Sequence, residues 1–394
     1  MTAMAEIFLP LNPGIVLILA GLVAAGLPNT IGRWFVVAVP VVMLGYLYSV
    51  DLGNHGPVAF LDYQLETFRL DVLSRIFGTI FLIAAFLCNL FAMGDNVDRG
   101  QRTAGQLYSG SAIAAVFAGD MITLFVFFEI AAVASVFLIW AQGTERSYRA
   151  GMRYLIIQIA AGVILLSGVL VHMSGTGSIA FNHLGLDTPG GYLILLAFGI
   201  KCAFPLLHNW LQDAYPEATI SGTVILSGFT TKLAIYALAR SYAGTDMLVW
   251  IGALMTAFPI FYAVIENDLR RVLAYSLNNQ LGFMVVGIGI GTELALNGAI
   301  SHAFAHILYK ALLFMSMGAV LFRTGTVNGS DLGGLYKSMP WTTGFCVVGA
   351  ASISGFPLFS GFVTKSMILT AAVGEGHWFV WLVLLFASAG VFHH

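Results

Sequence analysis

Apolar runs of about twenty residues, each long enough to cross a bilayer as a helix, follow one another along almost the whole 394-residue chain. Four of the five lysines lie inside them: Lys201 in YLILLAFGIKCAFPLL, Lys232 in TVILSGFTTKLAIYALA, Lys310 in HAFAHILYKALLFMSMGAV and Lys365 in LFSGFVTKSMILTAAV. Only Lys337 reads as an ordinary loop lysine. An ammonium near the bilayer centre costs roughly 2.5–3.5 kcal/mol on insertion scales, so lysines placed there mark pathways for charge. Charged residues make up 9% of the chain against about 25% in soluble domains, which excludes a soluble fold. The strict alternation of a membrane barrel is absent.

The first run, residues 11–27, has no basic stretch ahead of it and no small-residue cleavage site, and reads as a first span rather than a removed signal. Weighing runs against breakers places thirteen spans, at 11–27, 33–50, 72–93, 105–119, 120–141, 152–172, 191–212, 219–241, 247–265, 272–290, 294–322, 341–373 and 377–392. Proline removes a backbone donor and clashes with the preceding turn. The seventh span should therefore break at Ala203-Phe204-Pro205, and the twelfth at Ser354-Gly355-Phe356-Pro357. With the N-terminus outside, the inner segments hold Arg33, Arg99, Arg102, Arg146, Arg149, Arg153, Arg270, Arg271, Arg323 and Lys337. The outer ones hold only Arg69, Arg75 and Arg240, the bias that orients membrane proteins. Segment 51–71 reads as an acidic outer loop carrying Asp51, Asp62, Glu66 and Asp71. Cys88, Cys202 and Cys346 are scattered through apolar contexts, which suits buried small hydrophobes and neither a disulfide framework nor a metal site. A net charge of −2 without a basic cluster gives no reason to expect nucleic acid.

Phe-Pro-Leu occurs at 204–206 and again at 356–358, once in each span expected to break. Five spans separate the two, so the second runs in the opposite direction. Broken helices at corresponding positions of inverted halves point to a transport site. The expected fold is all-α, a polytopic membrane helix bundle. Residues 1–100 would carry helices 1–3, 101–243 an inverted repeat of helices 4–8, and 244–394 a second repeat of helices 9–13 that stops within or just after its last helix.

Glu129 is the one acid deep in a span, about 13 Å from Asp120 at 1.5 Å per residue, and Lys201 lies at comparable depth. An opposite charge at about 4 Å is worth on the order of 4 kcal/mol at an effective dielectric of 20, enough for the acid to decide whether Lys201 holds its proton. The alternative is a static pair that only fixes packing. His302, His306 and Lys310 recur every four residues and share a helix face. Histidine changes charge nearest neutral pH, so the stripe reads as a proton relay. Lys232 would join Lys201 to it, and Lys365 would be the exit. The segment HNWLQDAYPEA (208–218) offers His208, Asp213 and Glu217 for gathering protons or cations at the inner side, or else simply a solvated cap, with Trp210 suited to the membrane interface.

The runs KCAFPLLHNWLQDAYPEATISGTVILSGFTTKLAIYALAR, SHAFAHILYKALLFMSMG and SISGFPLFSGFVTKS resemble the antiporter-like subunits of respiratory complex I and of Mrp-type cation/proton antiporters, over about residues 70 to 392. The resemblance implies Glu129 with Lys201 as the family's acid–lysine pair. It likewise implies Lys232, His302, His306 and Lys310 as its relay, and Lys365 at a position where the family has lysine or glutamate. The segment DAYPEATISGTVILSGFTTKLAIYALAR and the lysine at 365 look most like the D-type component of Mrp antiporters; the M-type component of complex I usually has glutamate there. Family members normally have fourteen or more helices, so this chain reads as a fragment or a short member.

The implied function is proton translocation within a multi-subunit sodium/proton antiporter, in an inner membrane with the N-terminus outside. Alternatives are a proton-pumping subunit of an NADH:quinone oxidoreductase or membrane-bound hydrogenase, and a stand-alone transporter or channel. Expected partners are other membrane subunits of such complexes, protons, sodium and lipid. Without a cysteine cluster, haem motif or dinucleotide fingerprint, no cofactor or metal is expected here, and any redox enzyme activity would belong to partner chains.

Overall fold

The computed structural model describes residues 10–61, 63–95 and 97–392. Asp62, one of the acids assigned to the outer loop, lies outside the described residues, as do residues 1–9 and 393–394 at the ends of the first and last expected regions. The chain opens with α1 (Pro13–Gly26) and α2 (Asn29–Ser49), then an antiparallel hairpin of β1 (Gly53–Phe60) and β2 (Tyr63–Leu70). There follow α3 (Val72–Ala92), α4 (Arg99–Val116), α5 (Met121–Trp140), α6 (Glu145–Thr176), α7 (Gly191–Lys201), α8 (Asn209–Ala214), α9 (Ile220–Gly228) and α10 (Thr230–Ser241). The last stretch is α11 (Asp246–Ile265), α12 (Leu269–Ile290), α13 (Glu293–Thr324), the single turn α14 (Leu335–Ser338), α15 (Pro340–Ser354), α16 (Ser360–Gly374) and α17 (Trp378–Phe392).

The helices fall where the expected spans lie, and the protein is a multi-pass integral membrane helix bundle. Asp71, Asp98, Asp120, Thr144, Asp268 and Thr292 each accept a backbone N–H at a helix start, satisfying donors that have no intrahelical partner. Helices α9 and α10 run through the centre almost wholly buried, and α10 packs against α4, α7, α12 and α13. Outer helices turn Leu19, Val42, Phe261 and Phe386 outward, as hydrocarbon permits. Small residues bring neighbours close: a Cβ on Gly282 of α12 would lie 2.6 Å from the Gly252 carbonyl of α11.

Segment 51–71 is a structured hairpin and not a plain loop. Its register pairs Gly53 with Leu70 and Phe60 with Tyr63, and Phe68 and Leu70 are buried. β2 is tied to the α4–α5 link, since Arg69 N–H donates to the Phe117 carbonyl (2.7 Å) and Gly119 N–H to the Glu66 carbonyl (2.8 Å).

Two local arrangements recur along the chain. Before α5, Asp120 bridges to Ala180 beyond α6, and before α12, Asp268 bridges to Asn328 beyond α13. α6 starts at 145 and is stopped by left-handed Gly177; α13 starts at 293 and is stopped by left-handed Gly325. From 120 to 268, 145 to 293, 177 to 325 and 180 to 328 the step is constant at 148 residues. The breaks recur too. Ala203 N–H donates to Ile200 O, Phe204 N–H to Gly199 O and Leu207 N–H to Phe204 O; the second break repeats this with Gly355 to Ser352, Phe356 to Ala351 and Phe359 to Phe356. Leu206 and Leu358 both take left-handed conformations, with φ of 69° and 76°.

Charges assigned to one side by sequence meet at one end of the bundle. At the end of α10, Arg240 grips Asp71 with Nη1 at 2.8 Å and Nη2 at 2.9 Å, and Arg69 lies 3.8 Å away. At the other end of the α9–α10 rod, Arg153 pairs with Asp213, and Arg146 and Arg271 pair with Glu217. Burial pushes the Asp71 carboxyl up, but the hydrogen bonds and charge of Arg240, the Ser74 N–H and Arg69 together hold it below its ordinary value. A carboxyl lowered on folding contributes stability above its unfolded pKa and loses that contribution as pH falls through the folded one. Asp71→Asn is therefore expected to cost about 1 kcal/mol at pH 7, with the gap to the parent closing below about pH 4. Thermal unfolding in detergent across that range checks it.

Candidate functional site

Lys201 is the last residue of α7 and 1% exposed. Its Nζ lies 3.3 Å from Glu129 Oε1 on α5, 3.5 Å from Gln158 Oε1 on α6 and 5.0 Å from the Phe128 ring. Both polar distances exceed the usual 2.7–3.2 Å, so the Lys201 amine stands between two acceptors, the Glu129 carboxyl and the Gln158 amide oxygen, without closing on either. Gly162 on α6 makes the room: a Cβ there would run into the Glu129 carboxylate. The Glu129 side chain is 19% exposed and faces a groove of about 710 Å³ between α1, α4 and α5, walled by Ala25, Leu107, Ile130, Val133 and Phe137.

Three of the four buried lysines sit where a helix stops inside the bundle. Lys201 ends α7. Lys232 donates to the Ser227 carbonyl (2.5 Å) at the end of α9, and Lys365 to the Ile353 carbonyl (2.6 Å) at the end of α15 and to Ser388 Oγ (3.1 Å) on α17. The last carbonyls of a helix lack intrahelical partners and form the negative end of its dipole, which suits an ammonium. The interruption beside Lys232 departs from the sequence reading, which ran the eighth span unbroken. Phe229, at φ −115° and ψ −66°, divides α9 from α10. Trp210 departs too: it is 1% exposed and donates Nε1–H to the Ile200 carbonyl (3.0 Å). The Ile200 carbonyl at the seventh-helix break, which also accepts the Ala203 N–H, holds it inward, away from the membrane interface.

His302, His306 and Lys310 on α13 are all fully buried, on one face as their spacing requires. His302 Nδ1 lies 2.7 Å from Thr364 Oγ1 and its Nε2 3.2 Å from Gln280 Oε1; Tyr309 Oη is 3.3 Å from the same amide oxygen. The His302 and His306 ring centroids are 6.2 Å apart. Lys310 donates to Ser276 Oγ of α12 (2.5 Å) and lies 5.6 Å from the Phe314 ring. Among the described residues, neither ring nitrogen of His306 and neither side-chain polar atom of Asn278 has a hydrogen-bond partner; buried groups of this kind are ordinarily satisfied by water. Among the described residues no side-chain hydrogen bond joins Lys201 to Lys232, or Lys232 to His306, although α10 packs against both α7 and α13. Gln158, Gln280, Tyr309 and Thr364 were not singled out from the sequence. The polar triplet Asn278-Asn279-Gln280 within an apolar run was the available signal.

At the end of the bundle below the first break, His208 and Asp213 line a cavity of about 700 Å³ with Gln212, Phe258, Arg271 and Tyr275. The His208 ring packs on Phe258, with centroids 4.5 Å apart. Asp213 and Glu217 are held in the ion pairs described above, so arginine pairs with the acid lining the cavity and, through Arg271, the cavity wall is tied to Glu217 outside the lining. Pro205 and Pro357 sit in the two breaks as expected.

Residues 118–390 match the family described as NADH:quinone oxidoreductase/Mrp antiporter, TM. The chain is 34% identical over 285 residues to the D-type component of the Na(+)/H(+) antiporter of Alkalihalophilus pseudofirmus, covering 67% of this chain and 57% of that protein. It is 36% identical over 291 residues to the N-type component of the NADH-quinone oxidoreductase of Desulforudis audaxviator, covering 68% and 58%. The matches thus span a little more than half the length of these curated relatives. A chain in the structure of the membrane-bound sulfane sulfur reductase, an archaeal respiratory membrane complex, shares the fold with a TM-score of 0.85 and 24% identity, over 96% of this chain and 85% of that one. With Glu129, Lys201, Lys232, His302, His306, Lys310 and Lys365 all inside the matched region, this chain belongs to the NADH:quinone oxidoreductase/Mrp antiporter transmembrane family.

Proposed function

We propose that the chain translocates protons as a membrane subunit of a multi-subunit Mrp-type sodium/proton antiporter. The observation that carries this reading is the amine of Lys201, buried beside Glu129 in a membrane bundle whose centre holds further buried amines and imidazoles at Lys232, His302, His306, Lys310 and Lys365. A proton from the inner side reaches Lys201 by way of the cavity at His208 and Asp213. It is passed to Lys232, then to His306 and His302 beside Lys310, and leaves by Lys365. Glu129 sets whether Lys201 keeps its proton.

The step of 148 residues between matched arrangements, with five spans intervening, supports 101–243 and 244–394 as inverted repeats with a break in each. The partition of arginines in the sequence supports an orientation with the N-terminus outside, and an inner-membrane location goes with the antiporter reading. Identity to an antiporter component of the D type and the lysine at 365 favour the antiporter assembly. Identity to a quinone oxidoreductase component of the N type favours a redox-driven proton pump as the second reading. The proteins that copurify with the chain separate the two: small antiporter subunits in one case, flavin and iron–sulfur subunits in the other.

In vesicles carrying the assembled complex, Glu129→Ala and Lys201→Ala are each expected to slow cation-dependent proton exchange by about a hundredfold or more without preventing assembly. Parental exchange in both would remove the switch. Gly162→Val leaves both charges in place but fills the space of the Glu129 carboxylate, and should give the same loss. Lys365→Glu should shift the pH profile of exchange while capacity stays near parental, because an acid also relays protons. An unchanged profile would put the exit elsewhere.

A further inference from the structure

The hydrogen bonds around His302 form a directed chain that starts from a group with no choice of role. The Thr256 main-chain carbonyl on α11 can only accept, and Asn279 Nδ2 lies 2.5 Å from it. The amide nitrogen of Asn279 must therefore face Thr256, which turns its Oδ1 toward Gln280. Gln280 Nε2 donates to that oxygen at 2.5 Å. Gln280 is then fixed as well, and presents Oε1, an acceptor, to His302 Nε2 at 3.2 Å. Two lone pairs cannot face each other at that distance, so Nε2 carries a hydrogen. Tyr309 Oη, 3.3 Å from Gln280 Oε1 and 3.4 Å from His302 Nε2, completes the set by donating to the amide oxygen. In the neutral ring Nδ1 is consequently bare, and it accepts from Thr364 Oγ1 at 2.7 Å.

We propose that Asn279 and Gln280, anchored on the Thr256 carbonyl, are positioning residues that lock neutral His302 as the Nε2–H tautomer and leave Nδ1, on the α16 side, as the only nitrogen that takes up a proton. Thr364 supplies the matching movement, because its hydroxyl also lies 3.1 Å from the Ser360 carbonyl of its own helix. When a proton borne by water reaches Nδ1, the Thr364 O–H turns to Ser360, the new N–H donates to Thr364 Oγ1, and the ring becomes a cation. Release reverses each of these steps at the same nitrogen. His302 then loads and unloads on one face. Passing a proton through the ring, in at Nδ1 and out at Nε2, requires the Gln280 amide to turn against the Asn279 and Thr256 contacts. The histidine is a gate at this point of the bundle and not a length of open wire. This consequence for transport rests on the proton-translocating reading above; the tautomer itself does not.

The test is solid-state nitrogen NMR on the full chain in lipid bilayers, with histidine labelled only at Nδ1 and the His302 signal identified by its loss in His302→Gln. The parent is expected to show a pyridine-type, unprotonated Nδ1 for neutral His302. Gln280→Leu removes the acceptor, so that Tyr309 can donate to Nε2, and should convert that signal to the pyrrole type. Asn279→Asp, neutral in this fully buried place, can still donate to Thr256 and accept from Gln280, and should keep the parental signal. A pyrrole-type Nδ1 in the parent, or no change in Gln280→Leu, overturns the lock. Cation-dependent proton exchange measured in vesicles carrying the assembled parental complex keeps the two ideas apart: the parental tautomer without any exchange in the complex would refute the transport reading and leave the lock standing, and the reverse result would refute the lock alone.

Discussion

An amine held in hydrocarbon needs acceptors within reach, and in this bundle two of them are main-chain carbonyls at helix ends. The end of α9 receives Lys232 and the end of α15 receives Lys365, while Lys201 forms the last residue of α7 beside Glu129. A carbonyl at a helix end does not titrate, so it holds the amine in place without competing for its proton. It also spares the protein a carboxylate for every lysine. The interruptions in turn require partners of their own, and Trp210 on the Ile200 carbonyl is one. The broken helices, the buried amines and the dense centre built on α10 are thus one mutual arrangement, in which removing any part leaves polar groups unsatisfied in an apolar medium.

Around that centre the architecture is made of matched pieces. The same bridge, the same long helix with a left-handed glycine stop, and the same three hydrogen bonds at a Phe-Pro-Leu break occur twice. The pieces differ in chemistry while sharing these backbone arrangements. Lys201 stands two residues before the first break, and Ile353 takes the equivalent place before the second, contributing only its carbonyl to Lys365. Each half therefore places one amine at its break by a different route, from within the broken helix in one case and from the following segment in the other.

Much of this was legible in the sequence because charge and proline are costly in a membrane and stand out where they occur. The lysines inside apolar runs, the two proline breaks and the histidine stripe were read directly. The hairpin of β1 and β2 was not, because its turn at Phe60–Tyr63 carries no glycine or asparagine to announce it. The stop at Phe229 was hidden for a similar reason: it has no proline, and it is sustained by packing and by Lys232 turning back on Ser227. Trp210 followed a tertiary demand over its usual preference. Gln280, Asn279 and Tyr309 escaped notice because uncharged polar groups hardly alter hydropathy, although inside a protein they decide which nitrogen of an imidazole bears hydrogen.

The length of α6 has a structural consequence. At 1.5 Å per residue its 32 residues extend about 48 Å, well past a hydrocarbon layer of about 30 Å, so part of the helix stands in the headgroup region as a post. Arg146 on that post holds Glu217, just after α8, and Arg153 holds Asp213, within α8. About 13 Å further along the same rod, Gly162 abuts the carboxylate of Glu129. One continuous helix thus carries both the arginines that hold the segment around α8 and the glycine that seats the Glu129 carboxyl, so the surface ion pairs and the buried one share a single rod.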